Sequence, residues 1–329
     1  MSADHGSLTL VTGGAGYLGV PVAQELLSAG RSVRVLDVLL HGQLALASEL
    51  EVEGAEVIRG DIRDPAARRR ALDGVDAVVH LAAIVGDPAC AHDPEGSQSI
   101  NVDGTRALVQ DATLRGVERI VFASTCSNYG RMRDPSFPSD EDGALAPLSV
   151  YARQKVAIER WLLSPPAPAP APTCLRFATI YGVAPRMRFD LTVNEFTREL
   201  WADRQLDVFD ELSWRPYVHV RDAARAVNAV LSASPQRVAG RVFNVGRSTE
   251  NYRKVDIVKI IESQIRRGHV SYMPASTDPR DYKVSFARIT RELAYNTTMT
   301  VPDGVAEIIA ALDAGDFDDP FHNRYRNVP

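Results

Sequence analysis

A glycine-rich turn between a strand and a helix constrains this chain more than any other feature. The apolar run 8–12 leads into Gly13-Gly-Ala-Gly-Tyr-Leu-Gly19, and a helical pattern follows. The first glycine pair allows a tight turn, Gly16 allows a pyrophosphate to approach the backbone, and Gly19 allows the helix to pack closely on the strand. The free N–H groups at the start of that helix suit a diphosphate. The turn therefore predicts a dinucleotide-binding loop.

An acid at the end of the second predicted strand narrows the choice of dinucleotide. The carboxylate of Asp37 can accept hydrogen bonds from a ribose diol, and it would repel a 2′-phosphate. The next residues, 38–41, contain no arginine or lysine to hold such a phosphate. We therefore expect NAD rather than NADP as the cofactor. The alternative is an acid that only caps the strand-to-helix turn.

Short apolar strands alternate with helical patterns through the first half of the 329-residue chain. This alternation predicts an α/β Rossmann fold with a doubly wound parallel sheet, and the nearly continuous apolar strands fit a sheet covered by helices on both faces. The pattern becomes irregular after Gly182. We expect an NAD-binding Rossmann domain over 1–178, to which 216–247 return. A smaller mixed α/β substrate domain is expected over 179–215 and 248–329, with the site in the cleft between them.

The individual elements follow from the same patterns. Strands are expected at 8–12, 32–37, 56–59, 76–81, 118–124, 173–177 and 205–209. Helices are expected at 19–29, 65–73, 97–116, 149–163, 189–204, 220–232, 253–266 and 302–313. The proline-rich segment 164–172 predicts a stiff surface connection, with a partner-binding motif as the alternative.

Composition and charge exclude several classes of function. The net charge of −5 provides no basic footprint for nucleic acid. We find no apolar stretch long enough to span a membrane and no apolar signal segment near the N-terminus. Three cysteines, Cys90, Cys126 and Cys174, fit a reducing compartment better than a disulfide framework, so we expect a cytoplasmic protein. No group of residues has the spacing of metal ligands, and we expect no metal.

Tyr151 and Lys155 form the second strong pattern. Residues four apart on a helix lie on one face, so this pair is expected to meet. A free phenol with a pKa of about 10 is a poor base, but a nearby ammonium favours the phenolate. Such a tyrosine can accept a proton from a substrate hydroxyl as hydride leaves the same carbon, and the lysine can also bind the nicotinamide ribose. Ser124 and Thr125 end a predicted strand, where a hydroxyl can bond the reacting oxygen.

Taken together, these motifs resemble the extended short-chain dehydrogenase/reductases, in the NAD-dependent sugar-nucleotide epimerase/dehydratase family. The resemblance runs through most of the chain. The matching segments are Thr12-Gly-Gly-Ala-Gly-Tyr-Leu-Gly19, Gly60-Asp-Ile-Arg63, His80-Leu-Ala-Ala83, Asn101-Val-Asp-Gly-Thr105, Ser124-Thr-Cys-Ser-Asn-Tyr-Gly130, Tyr151-Ala-Arg-Gln-Lys155, Leu175-Arg176, Tyr181-Gly182, Arg215-Pro-Tyr-Val-His-Val220 and Asp222.

The resemblance implies a role for individual positions. Thr125 matches the catalytic serine or threonine, Tyr151 the catalytic base and Lys155 its partner, while Arg215 and Arg280 match the arginines that hold the substrate diphosphate. The residues implied to bind NAD are Gly13, Gly16, Tyr17, Leu18, Asp37, Asp61, Ile62, Leu81, Ala82, Ala83, Ser124, Tyr151 and Lys155, with Asp61 and Ile62 at the adenine. The residues implied to bind substrate are Thr125, Thr179, Arg188, Asn194, Arg215 and Arg280.

Departures from the family pattern bear on the reaction. The 4,6-dehydratases carry an Asp-Glu pair after the catalytic threonine, where this chain has Cys126 and Ser127. A serine cannot act as the carboxylate base of an elimination, and the missing glutamate also counts against a uronic-acid decarboxylase. We therefore expect a sugar-nucleotide epimerase acting at C4. Tyr151 would take the hydroxyl proton while hydride passes to NAD, and the hydride would return to the other face of the keto sugar.

Other functions stay open at this point. A net dehydrogenase or ketoreductase would need the same residues. The thiol of Cys126, with an ordinary pKa near 8.5, could assist a dehydratase, or it could be a small buried apolar residue. A non-catalytic nucleotide sensor or scaffold is the alternative from another class, although the intact Thr125, Tyr151 and Lys155 argue against it. The resemblance suggests that the helices near 97–116 and 149–163 pair in a homodimer; the alternative is that their apolar faces cover the sheet.

Overall fold

A seven-stranded sheet forms the centre of the first part of the molecule. Its order is β3-β2-β1-β4-β5-β6-β10; β1 pairs in parallel with β2 and β4, β2 with β3, and β4 with β5. The strands of the chain are β1 Leu8–Thr12, β2 Ser32–Asp37, β3 Glu56–Arg59, β4 Ala77–His80, β5 Arg119–Thr125, β6 Thr173–Phe177, β7 Thr179–Tyr181, β8 Gln205–Phe209, β9 Trp214–His219, β10 Val242–Val245, β11 Asn251–Arg253 and β12 His269–Met273. The doubly wound sheet expected from the sequence is confirmed. Its order reverses between β1 and β4, the point where such sheets bind ligands.

The computed structural model describes residues 7–132, 134, 136–164, 172–274 and 280–327. Its helices are α1 Gly19–Ser28, α2 Leu44–Val52, α3 Pro65–Ala71, α4 Asp87–His92, α5 Pro94–Gln98, α6 Thr105–Leu114, α7 Val150–Leu163, α8 Thr192–Trp201, α9 Val220–Ser232, α10 Pro235–Val238, α11 Lys254–Gln264, α12 Ala287–Leu293 and α13 Val301–Ala314. Most of the proline-rich connection, 165–171, lies outside the described residues. Within the described part of the chain, no helix combines the length and apolar character needed to cross a membrane.

Three differences from the expected helices have a physical reason. The single helix expected over 97–116 is divided, because a π-helical turn at Ser99–Gly104 separates α5 from α6. Helix α2 was not expected, since its apolar residues are spread around the helix rather than gathered on one face. The short helix α4 holds only six residues, too few for a periodic pattern to show.

Helix α7 is fixed on the sheet by an apolar core. Ile158 and Leu162 of α7 are buried in the same cluster as Ile120 and Phe122 of β5 and Leu108 of α6. Full burial of one such side chain contributes about 1.5–3 kcal/mol to the stability of the folded chain. This packing holds α7, which carries Tyr151 and Lys155, at a constant position relative to β5.

The chain divides into two compact units. The first unit consists of the described residues of 1–125, 149–176 and 224–243, and the second of those of 126–148, 177–223 and 244–329. In this division the second unit includes four segments that the sequence assigns to the first domain, 126–148, 177–178, 216–223 and 244–247. The second unit holds a three-stranded sheet, β11-β9-β7, and the parallel pair β8-β12.

Candidate active site

The glycine turn has the geometry that its sequence requires. Gly13 has a φ of +71°, and a Cβ atom there would lie 2.8 Å from the backbone nitrogen of Ala82. A Cβ atom on Gly19 would lie 2.1 Å from the carbonyl oxygen of Gly13, so α1 packs directly on the turn. The first turn of α1 carries no acidic residue, and Leu18 at its N-cap provides no side-chain hydrogen bond. The backbone here fits a diphosphate.

Asp37 is held in one orientation at the end of β2. Its Oδ2 atom accepts a hydrogen bond from the Ala15 backbone N–H at 3.1 Å, and its Oδ1 atom accepts one from the Leu39 N–H at 2.8 Å. Ala15 belongs to the glycine turn, so the carboxylate is tied to the predicted diphosphate loop. In this arrangement the Asp37 carboxylate can accept hydrogen bonds from the ribose diol of NAD. It would repel the 2′-phosphate of NADP.

The residues predicted at the adenine and along the cofactor lie at the ends of β3 and β4. Asp61 accepts hydrogen bonds from the Arg63 guanidinium, which holds the pKa of the Asp61 carboxyl below its ordinary value. Arg63 was not singled out from the sequence. Ile62 is buried against the core. Beyond β4, the Leu81 N–H donates to the Thr12 carbonyl at 3.1 Å, which brings the 81–83 loop beside the glycine turn.

The structure brings Lys155 to Tyr151 and to β5. Ser149 caps α7 by accepting a hydrogen bond from the Ala152 N–H at 3.2 Å, which places Tyr151 in the first turn. The Lys155 Nζ atom donates to the Ala123 carbonyl at 2.7 Å and lies 5.7 Å from the centre of the Tyr151 ring. Burial lowers the pKa of Lys155 to about 8. The ammonium is therefore bonded to β5 at Ala123, which lies two residues before Thr125 on that strand.

A buried ion pair supports this arrangement from within the sheet. Glu159, one helical turn after Lys155, pairs with Arg176 of β6 at 2.7 Å and accepts a hydrogen bond from the Ser124 hydroxyl. The carboxylate and the guanidinium are both almost fully buried. Ser124, predicted at the cofactor, thus joins β5 to α7. The pair was not predicted, although an arginine in an otherwise apolar strand is a signal for a buried acidic partner.

Two arginines predicted at the substrate lie together in the second unit. The Arg215 Nη1 atom donates to the Arg280 carbonyl at 2.6 Å and to the Trp214 carbonyl at 2.8 Å. The Arg215 guanidinium also lies 5.2 Å from the centre of the Tyr282 ring. Tyr282 was not predicted at this site. Its Oη atom lies 3.2 Å from the Ser127 hydroxyl, and burial raises its pKa.

Cys126 begins the 3₁₀ turn Cys126–Tyr129 directly after β5. Its side chain is 1% exposed. The three cysteines of the chain lie within the described residues, are buried and form no disulfide bond. This burial agrees with the interpretation of Cys126 as a small buried apolar residue.

Three other residues predicted at the substrate have contacts within their own loop and sheet. The Asn194 amide accepts from the Gly182 N–H at 2.9 Å and donates to the Arg188 carbonyl at 2.8 Å. Arg188 binds Asp190 through two nitrogen atoms at 2.9 and 2.8 Å. Thr179 pairs with Tyr217 in the three-stranded sheet. These contacts hold the segment 182–190, and substrate binding by these residues stays a prediction.

The second unit also contains a cavity that the sequence did not reveal. Its volume is about 710 Å³, and its lining includes Glu195 and Phe196 of α8, Asp207 and Phe209 of β8, and Lys254 of α11. Burial raises the pKa of Glu195. A cavity of this size, with aromatic and carboxylate groups, is suited to a small polar molecule.

Comparison with known proteins agrees with this geometry. The UDP-N-acetyl-alpha-D-glucosaminuronate decarboxylase of Bacillus cytotoxicus is 31% identical over 274 residues, which cover 80% of this chain and 83% of that protein. The UDP-glucose 4-epimerase of Mycolicibacterium smegmatis is 32% identical over 260 residues, 74% of this chain and 78% of that protein. The structure of MoeE5 in complex with UDP-glucuronic acid and NAD has a TM-score of 0.80 at 26% identity, covering 94% of this chain and all of that one.

A family model described as the NAD dependent epimerase/dehydratase family matches residues 9–246. This match includes the glycine turn, Asp37, the 81–83 loop, Thr125, and the Tyr151 and Lys155 pair. The chain therefore belongs to the NAD-dependent epimerase/dehydratase family, as its motifs indicated.

Proposed function

We propose that this protein is a sugar-nucleotide epimerase that inverts C4 of its substrate through a transient 4-keto sugar. NAD, the cofactor of the family, supplies a hydride acceptor and donor when bound. The proposal depends above all on the Lys155 ammonium, which is fixed on the Ala123 carbonyl beside Tyr151 and next to the end of β5. The glycine turn and Asp37 fit the cofactor, and the prediction of NAD is confirmed at the level of the family.

Each of the three residues has one task in this proposal. Tyr151 accepts the proton of the C4 hydroxyl on its Oη atom and returns it when the hydroxyl is restored. The ammonium of Lys155 stabilises the phenolate that the proton transfer requires. The hydroxyl of Thr125 donates a hydrogen bond to the C4 oxygen, which holds that oxygen in place while the carbon changes geometry.

The groups around Cys126 and Ser127 favour epimerisation over elimination. Elimination needs a base that removes a carbon-bound proton, and neither position carries a carboxylate. The Ser127 hydroxyl lies within hydrogen-bonding distance of the Tyr282 phenol, and the Cys126 thiol is buried. The second candidate, a dehydratase assisted by Cys126, would exchange a sugar C–H for solvent deuterium. We expect no such exchange, and Cys126→Ser is expected to keep its activity.

Arg215 and Arg280 are proposed to hold the diphosphate of the substrate. Guanidinium groups form charge-assisted, often bidentate hydrogen bonds with phosphate oxygens. We place the nucleoside in the 710 Å³ cavity, where Phe209 can stack on a base and Asp207 can accept a hydrogen bond. MoeE5, a related structure, holds UDP-glucuronic acid, and the substrate of this protein is proposed to be a nucleotide-diphosphate sugar of the same general class.

A substrate panel tests the proposed reaction. The purified protein is incubated with UDP-, TDP-, GDP- and CDP-sugars, including UDP-glucose and UDP-glucuronic acid, and the products are identified by proton NMR. We expect one sugar to reach equilibrium with its C4 epimer without a stoichiometric change in absorbance at 340 nm. A net dehydrogenase or ketoreductase would change that absorbance with each turnover. Binding of a nucleotide sugar without any chemical change would support a sensor or scaffold instead.

Assembly and location are part of the proposal. We propose a homodimer in the cytoplasm, formed by the helices near 97–116 and 149–163. Light scattering after size-exclusion chromatography is expected to give twice the 35.9 kDa mass of the chain. A mass of one chain at micromolar concentration would contradict the dimer.

A further inference from the structure

His80, at the end of β4, lies in a chain of buried hydrogen bonds whose direction can be determined. Its Nδ1 atom is 2.7 Å from the Thr12 hydroxyl, and its Nε2 atom is 2.8 Å from the Thr105 hydroxyl. The three side chains are at most 2% exposed. A buried imidazole with a hydroxyl on each nitrogen can exist in two neutral forms, and its neighbours select one of them.

Thr105 determines which nitrogen carries the proton. Its hydroxyl donates to the carbonyl of Asn101, one turn earlier, at 2.8 Å. A hydroxyl has a single proton, so this bond leaves only its lone pairs for His80. The Nε2 atom must therefore carry the proton and donate it to Thr105.

The contacts of Thr12 are compatible with this assignment. Its hydroxyl oxygen accepts the backbone N–H of Ala82 at 3.3 Å. Its own proton is then available for the unprotonated Nδ1 atom of His80. The resulting chain of donors runs from the Ala82 amide through Thr12, His80 and Thr105 to the Asn101 carbonyl.

Asn101 extends the connection to the helix that carries the catalytic pair. Its side-chain nitrogen donates to the Gln154 side chain at 2.9 Å and to the Ile84 carbonyl at 3.0 Å, while its oxygen accepts the Ile84 N–H at 2.8 Å. Gln154 lies between Tyr151 and Lys155 on α7. The loop after β4 is thereby held at Ala82 and at Ile84 by a network that ends on α7.

We propose that His80 is a positioning residue which, as the neutral Nε2–H tautomer, links the cofactor loop after β4 to helix α7 through Thr105, Asn101 and Gln154. Tyr151 and Lys155 keep their place relative to that loop because the loop and α7 both bond to the Asn101 side chain. The catalytic part of this inference rests on the proposed function, whereas the tautomer does not.

The charge of Lys155 gives the neutral form a further use. Burial and the nearby Lys155 ammonium together lower the pKa of His80 to about 3. The His80 ring and the Lys155 ammonium both lie near Phe122. The His80 and Phe122 ring centres are 6.1 Å apart, and the Lys155 Nζ atom lies 4.7 Å from the Phe122 ring centre. A neutral His80 adds no positive charge to this region, which allows Lys155 to stay protonated near neutral pH.

Nitrogen-15 NMR of the histidine side chains tests the tautomer without any sugar substrate. The signals of His80 are assigned by their loss in His80→Gln. We expect one unprotonated nitrogen at Nδ1 and one protonated nitrogen at Nε2, with no change between pH 6 and pH 8. In Thr105→Val the Nε2–H loses its acceptor, and the proton is expected to move to Nδ1, where Thr12 can accept it. Thr105→Ser is expected to restore the wild-type pattern.

The positioning role is tested by Gln154→Met, which keeps the size of the side chain and removes the acceptor of Asn101. We expect an unchanged His80 tautomer, a kcat for epimerisation lowered about tenfold, and a KM for the nucleotide sugar changed less than twofold.

An Nδ1–H or doubly protonated His80 in the wild type would overturn the tautomer. A wild-type kcat in both Gln154→Met and Thr105→Val would overturn the positioning role. If no sugar in the panel reacts, the proposed function fails, but the NMR result still decides the tautomer.

Discussion

The residues of the first unit that are predicted to bind NAD and those of the second unit that are predicted to bind substrate differ in how their functional groups are held. In the first unit, Asp37 is bonded to the glycine turn and Lys155 to β5, so both side chains are fixed by backbone groups of neighbouring elements. In the second unit, Asn194 and Arg188 hold their own loop, while Arg215 lies beside a tyrosine that was not predicted. The predicted cofactor residues Asp37 and Lys155 are thus positioned by contacts between elements of the sheet, whereas Asn194 and Arg188 fix the segment 182–190.

The largest expected effect tests the chemistry of the first unit. Tyr151→Phe removes the proton acceptor and should lower kcat by about 10²- to 10⁴-fold, because general base catalysis typically contributes that much. NAD affinity should change little. Tyr272→Phe is the matched control, since Tyr272 is half exposed on β12. An activity of Tyr151→Phe within twofold of the wild type would show that another group is the base.

The second prediction concerns the glycine turn. Gly13→Ala should weaken NAD binding by about a hundredfold, since the new Cβ atom would meet the backbone nitrogen of Ala82 at 2.8 Å. Gly74→Ala is the control, because Gly74 has a similar φ of +67° with open space around it. Isothermal titration with NAD should separate the two variants, which share the cost of a positive φ of roughly 1 kcal/mol. Equal losses of affinity would mean that the close approach to Ala82 is irrelevant.

The third prediction tests the second unit. Arg215→Lys keeps the charge but loses the planar fork, so the KM for the nucleotide sugar should rise roughly tenfold while kcat and NAD affinity change little. Arg291→Gln, at an exposed position on α12, serves as the control. Steady-state kinetics at saturating NAD provide the comparison. A fall in kcat without a change in KM would place Arg215 outside diphosphate binding.

The fourth prediction is a pH dependence of kcat. Burial lowers the pKa of Lys155 from 10.5 to about 8, so its ammonium is lost as the pH rises through 8. We expect kcat to fall several-fold between pH 7.5 and pH 9. In Lys155→Arg the guanidinium stays charged, and the alkaline fall should move above pH 9. Identical alkaline limbs in the two proteins would assign the fall to another group.

The stability of the protein should also depend on the state of Lys155. Because the pKa is lower in the folded chain, the unfolded chain binds more protons between pH 8 and pH 10.5. The contribution of Lys155 therefore makes the fold more stable as the pH rises through this window. Chemical denaturation of the wild type and of Lys155→Met at pH 7.5 and pH 10 measures the difference. A smaller gain with pH in the wild type than in the variant would contradict the sign.

Local patterns were sufficient to predict the elements that carry the cofactor residues. Strands β1, β2, β3 and β6 have the bounds that were expected, because each is a short apolar run ended by a turn signal. Five later strands, β7, β9, β10, β11 and β12, were not predicted. Their pairing depends on partners distant in the chain, which local propensity does not describe.

The same distinction applies to the candidate site. The glycine turn and Asp37 are separated by only 22 residues, and their relation follows from the pattern of one strand, helix and strand. Ser127 and Tyr282 are 155 residues apart, and the Thr12 to His80 contact spans 68 residues. Such contacts arise from the tertiary fold, and no pattern in the sequence marks them.

The most direct test of the central claim follows the hydrogen at C4. The nucleotide sugar identified by the panel is prepared with deuterium at C4 and converted by the purified protein in ordinary water. We predict that the C4 epimer keeps the deuterium at C4, because the same hydride leaves and returns within one turnover. Loss of the deuterium to solvent, or its accumulation in free NADH, would contradict the account.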